Sequence, residues 1–172
     1  MPSSSTAVMQ TANALLRLLI VLNIIAAVAF VAILFGSFLA EDTVIRILER
    51  NNHDANVMLT AARLVLVLAF IVVPLAHVLL TRLRAIVRSV EAGDPFVAVN
   101  AGRLKVIAWC LLGIQLVDLS FGVVTMTLAK DVEAVSGWTV SITGWVAVLL
   151  LFVLARVFEH GARMRDELEG TV

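Results

Sequence analysis

The chain has 172 residues, of which 61% are hydrophobic and 15% are charged, and its mean hydropathy is +1.03. Soluble domains are about 45–50% apolar and about 25% charged, so this composition argues against a soluble enzyme and predicts a membrane protein. The 13 basic and 13 acidic residues balance, which leaves no basic field for direct nucleic-acid binding.

Four apolar runs are long enough to cross a bilayer, which takes about 20 helical residues. We expect membrane spans at about residues 18–40, 59–81, 106–129 and 139–158. Residues 1–11 are rich in serine and threonine and carry no charge, so we expect them to be disordered and residues 12–172 to form the membrane domain. The first run exceeds the about 7–15 apolar residues of a signal peptide, so it is expected to remain as an anchor.

The loop after the first span, about residues 41–58, carries a short amphipathic pattern. Val44, Ile47 and Leu48 recur at helical spacing, which predicts a short helix at the membrane interface. Asn51 and Asn52 are expected to end it.

A hairpin of residues 82–105 joins the second and third spans. Apolar residues continue at helical spacing as far as Val90, so the second helix is expected to extend out of the membrane. Gly93 is suited to end it. Asp94 fits the N-cap of the next helix, and Pro95 fits its first helical position. Asn100 offers that helix a second cap.

The C-terminal tail, residues 159–172, extends the fourth helix. One face is apolar or small, and opposite charges recur three or four residues apart on the other. These elements together predict an all-α integral membrane protein, an antiparallel four-helix bundle whose second and fourth helices extend into the cytoplasm.

The distribution of Lys and Arg predicts both termini on the cytoplasmic side. Only Arg46, Arg50 and Lys130 then lie on the outer side, with Arg63 at the outer border. The cytoplasmic side holds Arg17, Arg82, Arg84, Arg88, Arg103, Lys105, Arg156, Arg163 and Arg165.

Asp118 lies in the middle of the third span, where an ionised carboxylate costs about 2.5–3.5 kcal/mol. Gln115 shares its helix face, and Arg63 is the nearest candidate for an ion pair unless its side chain turns outward to the lipid headgroups. These residues form either a proton or cation site or a structural contact between helices.

His77, near the inner end of the second span, either titrates near neutral pH or is a buried hydrogen-bonding residue.

Small residues recur every three or four positions in two helices, as Ala32, Gly36 and Ala40 and as Gly137, Ser141 and Gly144. Such patterns permit close helix approach, either within the chain or in a homodimer.

No sequence motif for a phosphate site, an acyl-transfer site or a zinc protease is present, so we expect no enzymatic activity, no cofactor and no metal.

Two segments carry a family resemblance. They are the hairpin, with Gly93-Asp94-Pro95-Phe96 and Asn100-Ala101-Gly102-Arg103-Leu104, and the tail, with Gly161, Arg165, Glu167 and Glu169 in the ending that closes with Glu-Gly-Thr-Val. In these residues the chain resembles the bacterial membrane family named domain of unknown function 2975. The resemblance implies four membrane helices in a bacterial plasma membrane and, as a partner, a small helix-turn-helix regulator often encoded beside members of the family.

The working hypothesis is a non-enzymatic inner-membrane protein that binds or sequesters such a regulator through the hairpin and tail residues just named. Two alternatives stay open. One is a small proton-linked transporter or channel using Asp118, and the other is a structural subunit of a membrane complex, with membrane lipid as its surroundings.

Overall fold

The computed structural model describes residues 4–49, 55–94, 97–128 and 139–169. The described residues form helices and connecting turns and contain no β-strand, which confirms the all-α class. The helices are α1 (Ser4–Leu39), α2 (Glu41–Glu49), α3 (Ala55–Glu91), α4 (Ala98–Leu128) and α5 (Ile142–Glu169).

Four of these helices are long and apolar enough to cross a membrane, in the segments Val8–Leu39, Met58–Glu91, Ala98–Val123 and Ile142–Arg165. Each exceeds the about 20 residues that the hydrocarbon core requires. The short α2 follows α1, as its amphipathic spacing predicts. The extensions predicted for the second and fourth spans are continuous helix as far as Glu91 and Glu169.

The N-terminal segment differs from the expectation. Because α1 begins at Ser4, residues 4–11 are helical and the predicted disorder there is corrected, while residues 1–3 lie outside the described part of the chain. Serine and threonine favour the start of a helix, and the long apolar helix that follows supplies the nucleus from which the first turns extend.

The long helices pack in series, α1 on α3, α3 on α4 and α4 on α5, and α2 packs on α3. α1 and α3 run antiparallel, since α1 meets α3 both through Asn13 and Glu91 and, at the opposite end, through Ser37 and Arg63. No comparable packing joins α1 to α5 among the described residues. The four helices therefore form an open row, without the pairing of first and last helix that closes the bundle expected from the sequence.

Much of the apolar surface faces outward. Val28 and Phe35 of α1 are each 65% exposed, whereas Ala108 and Ile107 of α4 are buried between their neighbours. A soluble monomer rarely exposes so much contiguous apolar surface. In lipid this distribution is expected, because hydrocarbon tails take the place of a second layer of protein.

The end of α3 follows the predicted glycine stop. Gly93 has a φ of 87°, its N–H donates to the Val90 carbonyl, and the Asp94 N–H donates to the Ser89 carbonyl. These two bonds form a Schellman motif, which turns the chain out of a helix through a left-handed residue. Asp94 is thereby held at a set position beside the end of α3.

Candidate functional site

A buried amide joins α3 to α4 where the hairpin leaves the helices. Asn100 is 0% exposed, and its Nδ2 donates to Ser89 Oγ over 2.6 Å. Arg103 Nη1 donates to Asn100 Oδ1 over 2.8 Å and to the Ala85 carbonyl over 3.1 Å. Asn100 is the third residue of α4 and bonds across to α3, so the structure assigns it to helix packing, which corrects the expected role as a second cap.

An ion pair then joins the hairpin to the tail. Arg165 Nη1 of α5 donates to Asp94 Oδ1, and both side chains are partly exposed. An exposed ion pair is worth about 0–1 kcal/mol, so its main effect is on geometry. The two segments that carry the family resemblance meet at this contact, and we call the surface formed by Asp94, Arg103 and Arg165 the hairpin–tail face.

The other signature residues differ in exposure. Leu104 is buried, Gly161 is half-buried and Glu167 is exposed. Pro95 and Phe96 lie outside the described residues, and Glu169 is the last residue of α5.

A second polar cluster joins α1 to α3 at the same end. Arg84 Nε donates to Asn13 Oδ1 over 3.0 Å, and Asn13 Nδ2 donates to Glu91 Oε2 over 3.3 Å. Arg17 lies one helical turn after Asn13 on α1, and Arg88 lies one turn after Arg84 on α3. The sequence reading missed Asn13 and Ser89. Both are short polar side chains on an otherwise apolar helix face, which is the pattern that could have identified them. Asn13 also lies four residues before Arg17, a spacing at which helical side chains meet.

Asp118 and Gln115 face different neighbours, although the sequence placed them on one helix face. Asp118 is half-buried and lines a cavity of about 350 Å³ with Phe30 of α1 and apolar residues of α3 and α4. Gln115 is 8% exposed and points to α5, with Nε2 3.5 Å from the Ser141 carbonyl oxygen. The structure therefore does not bring the two into one polar site.

Arg63 binds at the opposite end of the row from the hairpin. Its Nη2 donates to the Ser37 carbonyl over 2.7 Å and to Glu41 Oε2 over 3.1 Å, and its guanidinium lies 4.0 Å from the Phe38 ring centroid. A cation is favoured here by the negative end of the α1 dipole. These partners replace the ion pair with Asp118 that the sequence suggested.

His77 is half-buried in a groove of about 660 Å³ between α1 and α3, and Asn23 is the other polar side chain of its lining. In the described part of the chain, no three His, Cys, Asp or Glu side chains are grouped to hold a metal ion. Because the remaining side chains of its lining are apolar, the groove is suited to an apolar occupant.

The two small-residue patterns have different surroundings. A methyl group added at Gly144 would overlap the Gln115 amide, whereas one added at Gly36 would meet nothing within 4 Å. Gly144 thus serves packing within the chain, whereas Gly36 has open space beside it. Ala32 lines the groove between α1 and α3, and Ala40 follows the last residue of α1. Gly137 lies outside the described residues.

Comparison with known proteins places these features in one family. The model of the family described as protein of unknown function (DUF2975) matches residues 43–172. The matched stretch includes the hairpin, the tail and the contact between Asp94 and Arg165. The search of curated proteins gave no significant match, and neither did the search of solved structures.

Proposed function

We propose that this chain, which belongs to the family described as protein of unknown function (DUF2975), is a membrane anchor for a transcriptional regulator. In this proposal the protein is a non-enzymatic component of a bacterial inner membrane. Its hairpin–tail face binds a small helix-turn-helix protein and keeps it away from DNA.

The contact between Asp94 and Arg165 carries the proposal. It joins two segments that are 71 residues apart in the chain and leaves both side chains partly accessible. Charged, accessible side chains presented on ordered helix ends are suited to binding a soluble partner. The pair is not required to hold α5 in place, because α5 already packs on α4 through buried side chains such as Val148.

The proposed orientation places this face in the cytoplasm. Arg84, Arg103 and Arg165 share the hairpin end of the row, since they lie on or bind α3 and its exit turn. Arg17 lines a cavity at the same end with Val90 and Glu91. Lys and Arg are enriched in cytoplasmic loops, so we propose that both termini are inside. A signal received in the membrane or in the outer loop would then change the angle between hairpin and tail and release the regulator.

Co-purification tests this function. A tagged chain is solubilised from membranes of its own host, and bound proteins are quantified by mass spectrometry. We expect a helix-turn-helix protein to be enriched, and Arg165→Asp or deletion of Met164–Val172 to reduce it to the level of an untagged control. The pair Asp94→Arg with Arg165→Asp restores the contact with reversed charges, so part of the capture is expected to return.

Arg156→Asp is the matched control, because Arg156 is on the same helix and pairs with Glu159 at the surface. It should leave capture unchanged. Absence of any enriched regulator, or capture that survives both the tail deletion and replacement of Asp94 and Arg103, contradicts the proposal.

The cavity at Asp118 gives less support to proton transport. Apart from Asp118, its described lining is apolar, whereas a proton path needs a chain of water or polar side chains that reaches the carboxylate. The anchor therefore remains the better-supported function.

A further inference from the structure

The seam between α1 and α3 has an apolar part and a basic part. The apolar part is the groove of about 660 Å³ beside His77, lined by side chains such as Ala27, Val31 and Phe70. Its volume is in the range of sites for small apolar ligands, about 300–1,000 Å³. Because it lies between two membrane-spanning helices, the molecules with direct access to it are those dissolved in the bilayer.

The basic part continues the same seam towards the hairpin end. Arg84 lies on α3 and donates to Asn13 of α1, one helical turn before Arg17, and Arg88 follows Arg84 by one turn. Glu91 is the acidic side chain of this cluster, and its carboxylate accepts a hydrogen bond from Asn13. A second cavity, of about 630 Å³, opens here beside Asn13, Arg17 and Glu91.

Helical periodicity places both parts on one side of the seam. On α3, Pro74 and His77 line the groove, and Arg84 and Arg88 follow at steps of seven and four residues, which return to the same helix face. On α1, Arg17 precedes Ile24, a groove residue, by two turns. Arg17 and Arg84 therefore lie on the groove side of the seam, about 10 Å along the helices from Ile24 and His77.

The depth of the arginines matches that of a lipid phosphate. Arg17 immediately precedes the first predicted span, 18–40, and Arg84 follows the second, 59–81, by three residues. Basic side chains at this level attract anionic headgroups. Three guanidinium groups against one carboxylate, which is itself hydrogen-bonded, leave a positive excess that favours a lipid with net negative charge.

We propose that the seam binds one anionic phospholipid, with its phosphate at Arg17, Arg84 and Arg88 and an acyl chain in the groove beside His77. The inference is independent of the regulator proposal, since it uses neither Asp94 nor Arg165. Asp118 lines a different cavity and takes no part.

Native mass spectrometry of the full chain in detergent tests the site. Phosphatidylglycerol and phosphatidylcholine are titrated in parallel, and the first bound lipid is quantified. We expect phosphatidylglycerol to be retained preferentially and Arg17→Gln/Arg84→Gln to weaken it about 25-fold, because each basic side chain near the surface contributes about fivefold. Arg156→Gln/Arg163→Gln removes the same charge from exposed positions on α5 and should leave the first binding step unchanged.

A second variant tests the acyl chain without altering charge or the contact between Arg84 and Asn13. Ala27→Trp fills the groove and is expected to displace the lipid, whereas Val153→Trp, at a 54% exposed position on α5, should not. Glycerol phosphate, which has the headgroup chemistry without a chain, is expected not to compete. Equal retention of both lipids, equal losses in the two double variants, or full competition by glycerol phosphate would each overturn the proposal.

Discussion

A single buried amide connects α3, α4 and an arginine at the hairpin. Asn100→Ala removes the acceptor of Arg103 and the donor to Ser89. Loss of a hydrogen bond to a charged group costs about 1.5–3 kcal/mol, so the free energy of unfolding should fall by about that amount. Thermal unfolding of the purified protein in detergent, monitored by circular dichroism, measures the change.

The control for this substitution lies two residues away. Gly102→Ala adds a methyl group that meets nothing within 4 Å, and alanine is favoured over glycine within a helix by about 0.5–1 kcal/mol. Its melting temperature should therefore equal or slightly exceed that of the wild type. An Asn100→Ala protein as stable as Gly102→Ala would show that the buried network adds no stability.

At the scale of elements, α4 and α5 fit through one glycine. Gly144→Ala forces the Gln115 side chain to move, because the added methyl group would overlap its amide. Overpacking typically costs about 1–3 kcal/mol, and Gln115 can relieve part of it since the overlapping atoms are at the end of a flexible chain. We expect a loss of about 1 kcal/mol in the free energy of unfolding.

A double-mutant cycle tests whether the lost stability comes from the contact between Gly144 and Gln115. Adding Gln115→Ala to Gly144→Ala should recover stability relative to the sum of the two single substitutions. Gly36→Ala, in open space on α1, is the control for a glycine replaced within a membrane helix. Strictly additive effects would mean that α5 does not depend on the fit between Gly144 and Gln115.

At the scale of the whole molecule, the antiparallel row makes a prediction about sidedness. Arg46 lies on α2 at one end of the row, and Met164 lies near the end of α5 at the other, and both are exposed. With Cys110 replaced by alanine, a cysteine at position 46 should react with a membrane-impermeant maleimide in intact cells. A cysteine at position 164 should react only after the membrane is permeabilised.

The labelling result bears directly on the proposed orientation. If both cysteines react in intact cells, positions 46 and 164 are not on opposite sides of the membrane. If only the cysteine at position 164 reacts in intact cells, the hairpin–tail face lies outside the cell. The control is the wild-type protein, whose one cysteine, Cys110, is buried. Its labelling measures the background reaction.

Local patterns in the sequence were sufficient for much of the fold. Apolar run length predicts four long helices, and the spacing of Val44 and Ile47 predicts α2. Gly93 ends α3 through the bonds expected of a left-handed residue. Each of these features depends on residues within a turn or two of one another, so no knowledge of distant contacts was needed.

The candidate site was less accessible to such reasoning. Arg63 and Gln115 were identified as polar groups in or beside the membrane, but their partners, Ser37 and Gly144, depend on how neighbouring helices are aligned. An apolar helix is compatible with lipid on any side, so hydropathy does not specify which face meets which helix.

Composition and periodicity thus established that the chain consists of helices suited to a bilayer, because backbone hydrogen bonds in lipid must be satisfied within each helix. They did not establish where α1 and α4 begin, since both helices start well before the apolar runs at about residues 18 and 106. Side-chain packing between helices settled their serial order and the meeting of Asp94 with Arg165. Those contacts join residues far apart in the chain, and their geometry follows from the shapes of small and polar side chains at the seams rather than from hydrophobicity.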